Sequence, residues 1–479
     1  MLSGRKDFVR LKKAAICLSI GSIFLFHFAL ANSENQNEMN TEVAKSDEPK
    51  SLGEQIRFPV EKYQLENGLT VLLQEDHSVP LVSYHTWFRV GSINEEAGYT
   101  GIAHLFEHMM FKGAKRYTGS QFDTVLQGNG ATNNAFTTKD YTGYYEDLPS
   151  SKLELIMDIE SDRMVNLQIN PANLTSEQQV VKEERRYRID NNPMGTLIET
   201  MFGTIFKVHP YRWPTAGYMA DIDRIDEAKS NQFYRTYYAP NNAVLVIAGD
   251  IDRGKVKGLV QKYYGDLKAQ PIPKNAFPPE PEQSAARSQV IARDVQNTTF
   301  LVAYPVPPAG TKDSYALDLL ANILGEGDSS RLHQRFVYKT QVATSASASN
   351  WTFKDSGVFL AYMSLKPGLS EEAVGEAQKS IYGEMWRMRN RVVSAADLEK
   401  AKNQVMKGYV DKLKTVHGKA ESLAYSEIYF SDYSMFFKDL DRYNEVTVEE
   451  VQKVAQKYLV PEKSSLVVLK PKAQPPQGR

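Results

Sequence analysis

A chain of 479 residues, 42% apolar and 24% charged, has the composition of an ordinary globular protein with room for two or three domains, each able to bury a core. Its net charge of -1 excludes a role built on phosphate neutralisation, so nucleic acid is not an expected partner. The single cysteine, Cys17, excludes a disulfide framework and leaves histidine and carboxylate as the side chains able to hold a transition metal.

Residues 1–31 read as a secretory signal peptide. Arg5, Lys6, Arg10, Lys12 and Lys13 form a basic start, residues 14–30 are mostly apolar, and Ala29-Leu30-Ala31 is a small-x-small cleavage site. An uncleaved anchor is the alternative, because the apolar run approaches a bilayer span, but Ser19, Ser22 and His27 interrupt it and favour cleavage. The expectation is an exported chain, in the periplasm of a Gram-negative bacterium, that loses Cys17 with the peptide. Residues 32–56, rich in Ser, Glu, Asn and Lys, are expected to be a flexible polar lead-in.

Regular structure is expected from residue 57. Tyr63 to Leu73 is a hairpin turning at Asn67-Gly68, and Leu81 to Val90 alternates as a strand. Ile102, Leu105, Phe106, Met109 and Met110 then recur at helical spacing, and on that helix His104 and His108 project from one face with Glu107 on the same turn. Two imidazoles aimed at one point with a carboxylate beside them form the inverted zinc-peptidase motif, His-x-x-Glu-His. The plain alternative is a helix carrying two surface histidines by accident.

A strand from about Gly130 to Leu148 and a helix from Lys152 to about Val165 follow. Residues 175–188 read as a helix capped by Thr175 or Ser176 and stopped by Asp190-Asn191-Asn192-Pro193. Glu177 and Glu184 lie two turns apart on one face of it, so one can complete a three-ligand metal site while the other orients a ligand from behind. Taken alone, such a pair also describes a solvated helix face. Asn242 to Gly249, a buried-type strand, closes the first half.

Pro271, Pro273, Pro278, Pro279 and Pro281 crowd residues 267–287, an extended linker. Beyond it the chain repeats a pattern: Tyr237-Tyr238-Ala239-Pro240 before the strand ending the first half matches Tyr458-Leu459-Val460-Pro461 before the last strand. The second-half helix around Tyr315 to Leu324 stands where the motif helix would be, without His or Glu, and so binds no zinc. The glycine-rich loop at residues 325–332 lacks the Lys-Ser/Thr of a nucleotide cradle.

From about Tyr63 onward these features resemble the pitrilysin/insulinase metallopeptidases, the inverzincins. In that family the third ligand is a Glu about seventy-five residues past the second His, with a companion Glu seven before it. Here residues 109–183, 75 in number, separate His108 from Glu184, Glu177 holds the companion place, and Glu183 would be one short. Gly91-Ser92, Glu95 and the stretch Asn133 to Thr138 also fit the pattern.

The resemblance implies an α+β fold of two homologous domains, 57–266 and 288–470 with a tail at 471–479, each a mainly antiparallel sheet with helices packed on one face. It implies one Zn²⁺ held by His104, His108 and Glu184, with Glu107 as the general base and Glu177 orienting a zinc-binding histidine. Peptide substrates are expected to add as a strand along Asn134, Ala135 and Phe136. One departure concerns partners. Family enzymes that work alone carry an Arg and a Tyr seven apart in the second half, and here those places fall on Val337 and Thr344, with Arg335 and Tyr338 out of register. The mitochondrial processing peptidase and its bacterial relatives divide zinc and Arg/Tyr between two chains, so this chain resembles a zinc-bearing subunit awaiting a homologous partner, with a homodimer as the alternative. A non-catalytic scaffold of the same fold is the rival reading of function.

Overall fold

The computed structural model describes residues 51–472, so the expected signal peptide, most of the lead-in and the end of the tail lie outside the described residues. Eleven strands are found there: β1 Glu61–Gln64, β2 Thr70–Glu75, β3 Leu81–Phe88, β4 Thr132–Thr137, β5 Thr142–Pro149, β6 Ala243–Gly249, β7 Arg287–Arg293, β8 Thr299–Val306, β9 Ala343–Thr352, β10 Gly357–Leu365 and β11 Ser465–Pro471. They form two sheets within one compact unit, in the orders β1-β2-β6-β3-β5-β4 and β7-β11-β8-β10-β9. Each sheet has one parallel pair, β2 with β6 and β7 with β11, and is otherwise antiparallel.

The hairpin at Asn67-Gly68 is present between β1 and β2, and Gly68 adopts φ +88°, the left-handed conformation this turn needs. Each half ends as its repeat suggests. A helix (Glu227–Tyr237 or Val448–Tyr458) leads through a single tight turn at Pro240 or Pro461 into β6 or β11, and each of these strands inserts between the parallel and antiparallel parts of its sheet.

Three expectations are corrected. The strand expected over Gly130 to Leu148 is a hairpin of β4 and β5. Its turn needs neither Gly nor Pro, because the Thr138 hydroxyl accepts from the backbone N–H groups of Asp140 and Tyr141. The helix bearing Glu184 starts at Pro171, with the Asn170 side chain accepting from the Asn173 N–H, so Thr175 and Ser176 lie inside it. That helix ends at Arg185 and continues as a π-helical turn over Arg186–Asp190. Residues 51–56, expected to be flexible, include a capped helical turn in which Ser51 and Gly53 bond to Asp441.

The expected α+β fold of two domains with mixed, mainly antiparallel sheets is present, and a helix from the other half covers the second face of each sheet. Alternation along β3 sends Val82, Tyr84 and Phe88 into one core and Trp87 to the opposite face. That opposite face, with Leu72, Val244, Val246 and Ala248, is covered by Ala420, Leu423, Ala424 and Ile428 of the helix Val416–Phe430, which comes from the second half of the chain. Conversely, the helix Pro193–Ile205 of the first half lays Leu197, Met201 and Phe202 on Leu301, Ala303, Val358, Leu360, Val467 and Leu469 of the second sheet. Each half thus lends one helix to the other's sheet, which is why β6 is buried along its whole length and reads as an unbroken apolar run.

Candidate active site

The motif helix spans Ile102–Met109 and buries Ile102, Ala103, Leu105, Phe106 and Met109 in the first core. Its N-cap, Gly101, has no side chain to satisfy the first N–H groups, and at φ +90° a Cβ there would meet the Ala216 carbonyl oxygen at 2.8 Å. Glu95 supplies the missing cap from outside, accepting from the Ala103 N–H at 3.0 Å. The apolar face fixed in the core leaves His104, Glu107 and His108 turned toward the helix Pro171–Arg185.

The Nε2 atoms of His104 and His108 both face Glu184 Oε2, at 3.5 and 3.1 Å. One ligand atom from each of the three residues lies within 4.8 Å of the other two. Behind them His108 Nδ1 faces Glu177 Oε2 at 3.5 Å, and Lys112 Nζ sits 2.5 Å from Glu177 Oε1, so Glu177 holds His108 from the far side. Glu183 points away, 70% exposed and paired with Arg186, in keeping with Glu184 as the inward carboxylate. Glu107 stands beside the group and accepts from the Thr137 hydroxyl at 2.6 Å.

The electrostatics follow from this packing. Burial lowers the His104 pKa to about 4, with the neighbouring His108 adding to the effect, so its ring is a neutral donor. At His108 burial pulls the same way, but the hydrogen bonds to Glu177 and Glu184 outweigh it and raise the value to about 9. Burial pushes the Glu107 carboxyl above the usual range, against the Thr137 hydrogen bond. The hydrogen bond from His108 holds Glu184 below it. Two imidazoles and one carboxylate converging on one point fit a tetrahedral cation with one position left open. The geometry itself speaks for such a cation, since the Nε2 atoms of both rings converge on a single carboxylate oxygen.

A cavity of about 730 Å³ opens over this group. One wall is β4, whose Asn134, Ala135 and Phe136 line it, and β4 is an edge strand bonded only to β5. Another part of the wall is Ile198, Glu199 and Phe202 of the helix Pro193–Ile205, with Arg188 from the π-helical turn. Sequence reasoning missed that wall, as well as Lys112 and Thr137. Lys112 and Arg188 each lie four residues past a residue of the group, a helical spacing that could have found them. Val337 packs on the second core and Thr344 donates to the Ser364 carbonyl at 3.2 Å, and neither they nor Arg335 and Tyr338 line the cavity.

Comparison with known proteins agrees with this arrangement. Residues 70–217 match the family described as insulinase (peptidase family M16), and residues 224–405 match the peptidase M16 inactive domain. The chain is 32% identical over 423 residues to the zinc protease PqqE of Helicobacter pylori, covering 86% of this chain and 93% of the relative. It is 27% identical over 404 residues to an uncharacterized zinc protease of Mycobacterium leprae, 82% of this chain and 88% of that one. Among solved structures, a protease from Helicobacter pylori superposes with a TM-score of 0.81 at 31% identity, covering 87% of this chain and all of the other. The periplasmic protease PqqL from Escherichia coli shares the fold, with a TM-score of 0.69 at 19% identity, over 86% of this chain and 48% of that one. The chain belongs to the insulinase family of peptidases, family M16.

Proposed function

We propose that this M16 peptidase is a zinc-dependent endopeptidase acting on peptides or unfolded polypeptides. The observation that carries the reading is the convergence of His104, His108 and Glu184 with Glu107 alongside and a free strand edge facing them. Zinc bound there supplies Lewis-acid polarisation of the scissile carbonyl and a water acidic enough to ionise near neutral pH. Glu107 receives the proton of the attacking water and returns it to the leaving amine, and its raised pKa suits a group that must both take and give a proton. Thr137 keeps one Glu107 oxygen fixed while the other remains free for this exchange. Glu177 sets the orientation of His108, and β4 offers backbone N–H and C=O groups to an extended substrate without demanding a sequence.

The rival reading, a scaffold that keeps the fold without the chemistry, requires a decayed donor set, whereas His104, Glu107, His108 and Glu184 are all present. The test is removal and return of the metal. Chelation should abolish hydrolysis of an unfolded substrate, one equivalent of zinc should restore it, and hydrolysis that persists in metal-free protein would exclude the mechanism. Export to the periplasm and pairing with a homologous chain belong to the same proposal. With Val337 and Thr344 away from the cavity, no Arg/Tyr pair from the second half lines the site among the described residues. Turnover by the isolated chain should therefore be low and should rise when a homologous subunit carrying that pair is added. Full activity from this chain alone would remove the hetero-partner and leave the zinc chemistry standing.

A further inference from the structure

The run Glu183 to Arg188 holds three arginines, and their surroundings differ. Arg185 is buried and neutralised, with Nη2 at 3.1 Å from both oxygens of Glu199 and 3.2 Å from Asp190. Arg186 pairs outward with Glu183. Arg188 turns over the cavity, 71% exposed, and its only hydrogen-bonding or ion-pair partner among the described residues is Glu184, reached by Nε at 2.8 Å. Its two terminal guanidinium nitrogens are therefore unclaimed. The other cation lining the cavity, Lys139, is spent on the carbonyls of Tyr211 and Trp213, and the lining carboxylate Glu199 is spent on Arg185.

The backbone that carries Arg188 is also fixed. The Asn191 N–H closes the π-helical turn on the Arg186 carbonyl at 2.8 Å, and the Thr196 hydroxyl ties down the Ile189 carbonyl at 2.8 Å. π-Helical turns are uncommon and gather at functional sites. A planar fork with free N–H groups, anchored at Nε and facing a peptide-sized cavity, matches a carboxylate better than any neutral group.

Resting on the peptidase reading, we propose that Arg188 is a specificity-determining residue that binds a substrate carboxylate in the cavity it lines together with β4, so that acidic peptides are preferred. The carboxylate can come from a Glu or Asp side chain or from a free C-terminus, and both present the same two oxygens.

The test uses the zinc-loaded Glu107→Gln protein, which should hold peptide without cutting it, and the same protein after chelation, so that altered metal content cannot mimic the effect. An N-acetylated, C-amidated octapeptide with one Glu walked along it is compared with its Gln counterparts, and a third arm keeps Gln throughout but frees the C-terminus. At one position or at the chain end, binding should be about tenfold tighter for the carboxylate. Arg188→Gln should erase that preference in both metal states, and Arg188→Lys should keep part of it. No preference in any arm, or a preference that survives Arg188→Gln, would overturn the proposal. Because binding rather than cleavage is read, the outcome is separate from that of the peptidase reading, which is decided by hydrolysis and its dependence on zinc and Glu107.

Discussion

The two halves place a helix at the same point of the same topology and use it differently. In the first half the helix after β3, Ile102–Met109, turns His104, Glu107 and His108 toward a carboxylate-bearing helix. In the second, the helix after β8, Lys312–Gly325, buries Tyr315, Leu317, Leu319, Leu320, Ile323 and Leu324. Its one inward acid, Asp318, is saturated by Asn350 and Tyr443 at 2.8 and 2.7 Å. The second half packs a full core with no donor set of its own among the described residues, so this architecture does not need a metal to fold. A metal held by His104, His108 and Glu184 would therefore serve chemistry, not folding.

The sharpest way to break that comparison is to disable each helix in turn. His108→Ala should reduce bound zinc and peptide hydrolysis to background, whereas Asp318→Asn should leave zinc content unchanged, as read by metal analysis of the purified variants. Chelated protein of natural sequence should still unfold in one cooperative thermal transition, and loss of that transition on chelation would make the zinc structural.

The exchanged helices supply the next largest effect. Leu423 and Leu197 are both fully buried, each on the sheet of the other half. Leu423→Ala and Leu197→Ala should each cost about 2–5 kcal/mol in denaturant melts. Because each helix ties its own half to the other's sheet, either substitution should move a single transition for the whole chain. Two separable transitions, only one of which moves, would show that the halves fold independently.

A smaller effect separates the two glutamates that precede Glu184 on its helix. Glu177→Gln should weaken zinc binding by roughly 10- to 100-fold, because it releases the hold on His108, while Glu183→Gln should leave the affinity within about twofold of the original. The reverse ranking in a competition titration with a zinc chelator would show that the register is wrong.

How much of this the residues announced depends on range. The motif helix was legible because a four-residue spacing decides which side chains share a face, and Glu184 because its distance along the chain matched a known pattern. The hairpin at Asn67-Gly68 was legible from its turn chemistry. The β4–β5 turn was not, because a Thr hydroxyl does there what Gly or Pro usually does. The exchange of helices was hidden for a deeper reason. An apolar stripe such as Leu197, Met201 and Phe202 says that a helix face is buried but not against which sheet. Arg188, four residues past Glu184, was within reach of the same spacing argument, whereas the π-helical turn that carries it was not legible.

The two seams also differ in pH response. The seam under Pro193–Ile205 is lined by apolar groups, whereas that under Val416–Phe430 holds His85, Asp147 and His417. His85 is buried with Trp87 Nε1 donating to Nδ1 at 3.2 Å, and burial, reinforced by nearby His417, lowers its pKa to about 3. Above the ordinary histidine value of about 6.5 both folded and unfolded chains leave this ring neutral. As pH falls from there toward 3, the unfolded chain takes up a proton and the folded chain does not, so stability is lost on the acid side. His417, raised by its hydrogen bond to Asp147, acts in the opposite sense: its contribution is present below its unfolded value and lost as pH rises through the folded one. His85→Gln should therefore flatten the decline of the urea midpoint between about pH 6 and 4, and an unchanged slope would remove His85 from the seam's pH response.

The central claim is that the first half does chemistry the second half cannot, and Glu107→Gln tests it most directly, because the substitution spares all three ligands and removes only the group that moves the proton. Zinc content and hydrolysis should be measured on the same preparation. The account predicts close to one zinc per chain with hydrolysis down by about 10²–10⁴-fold. Hydrolysis at the original rate in a zinc-loaded Glu107→Gln protein would contradict it.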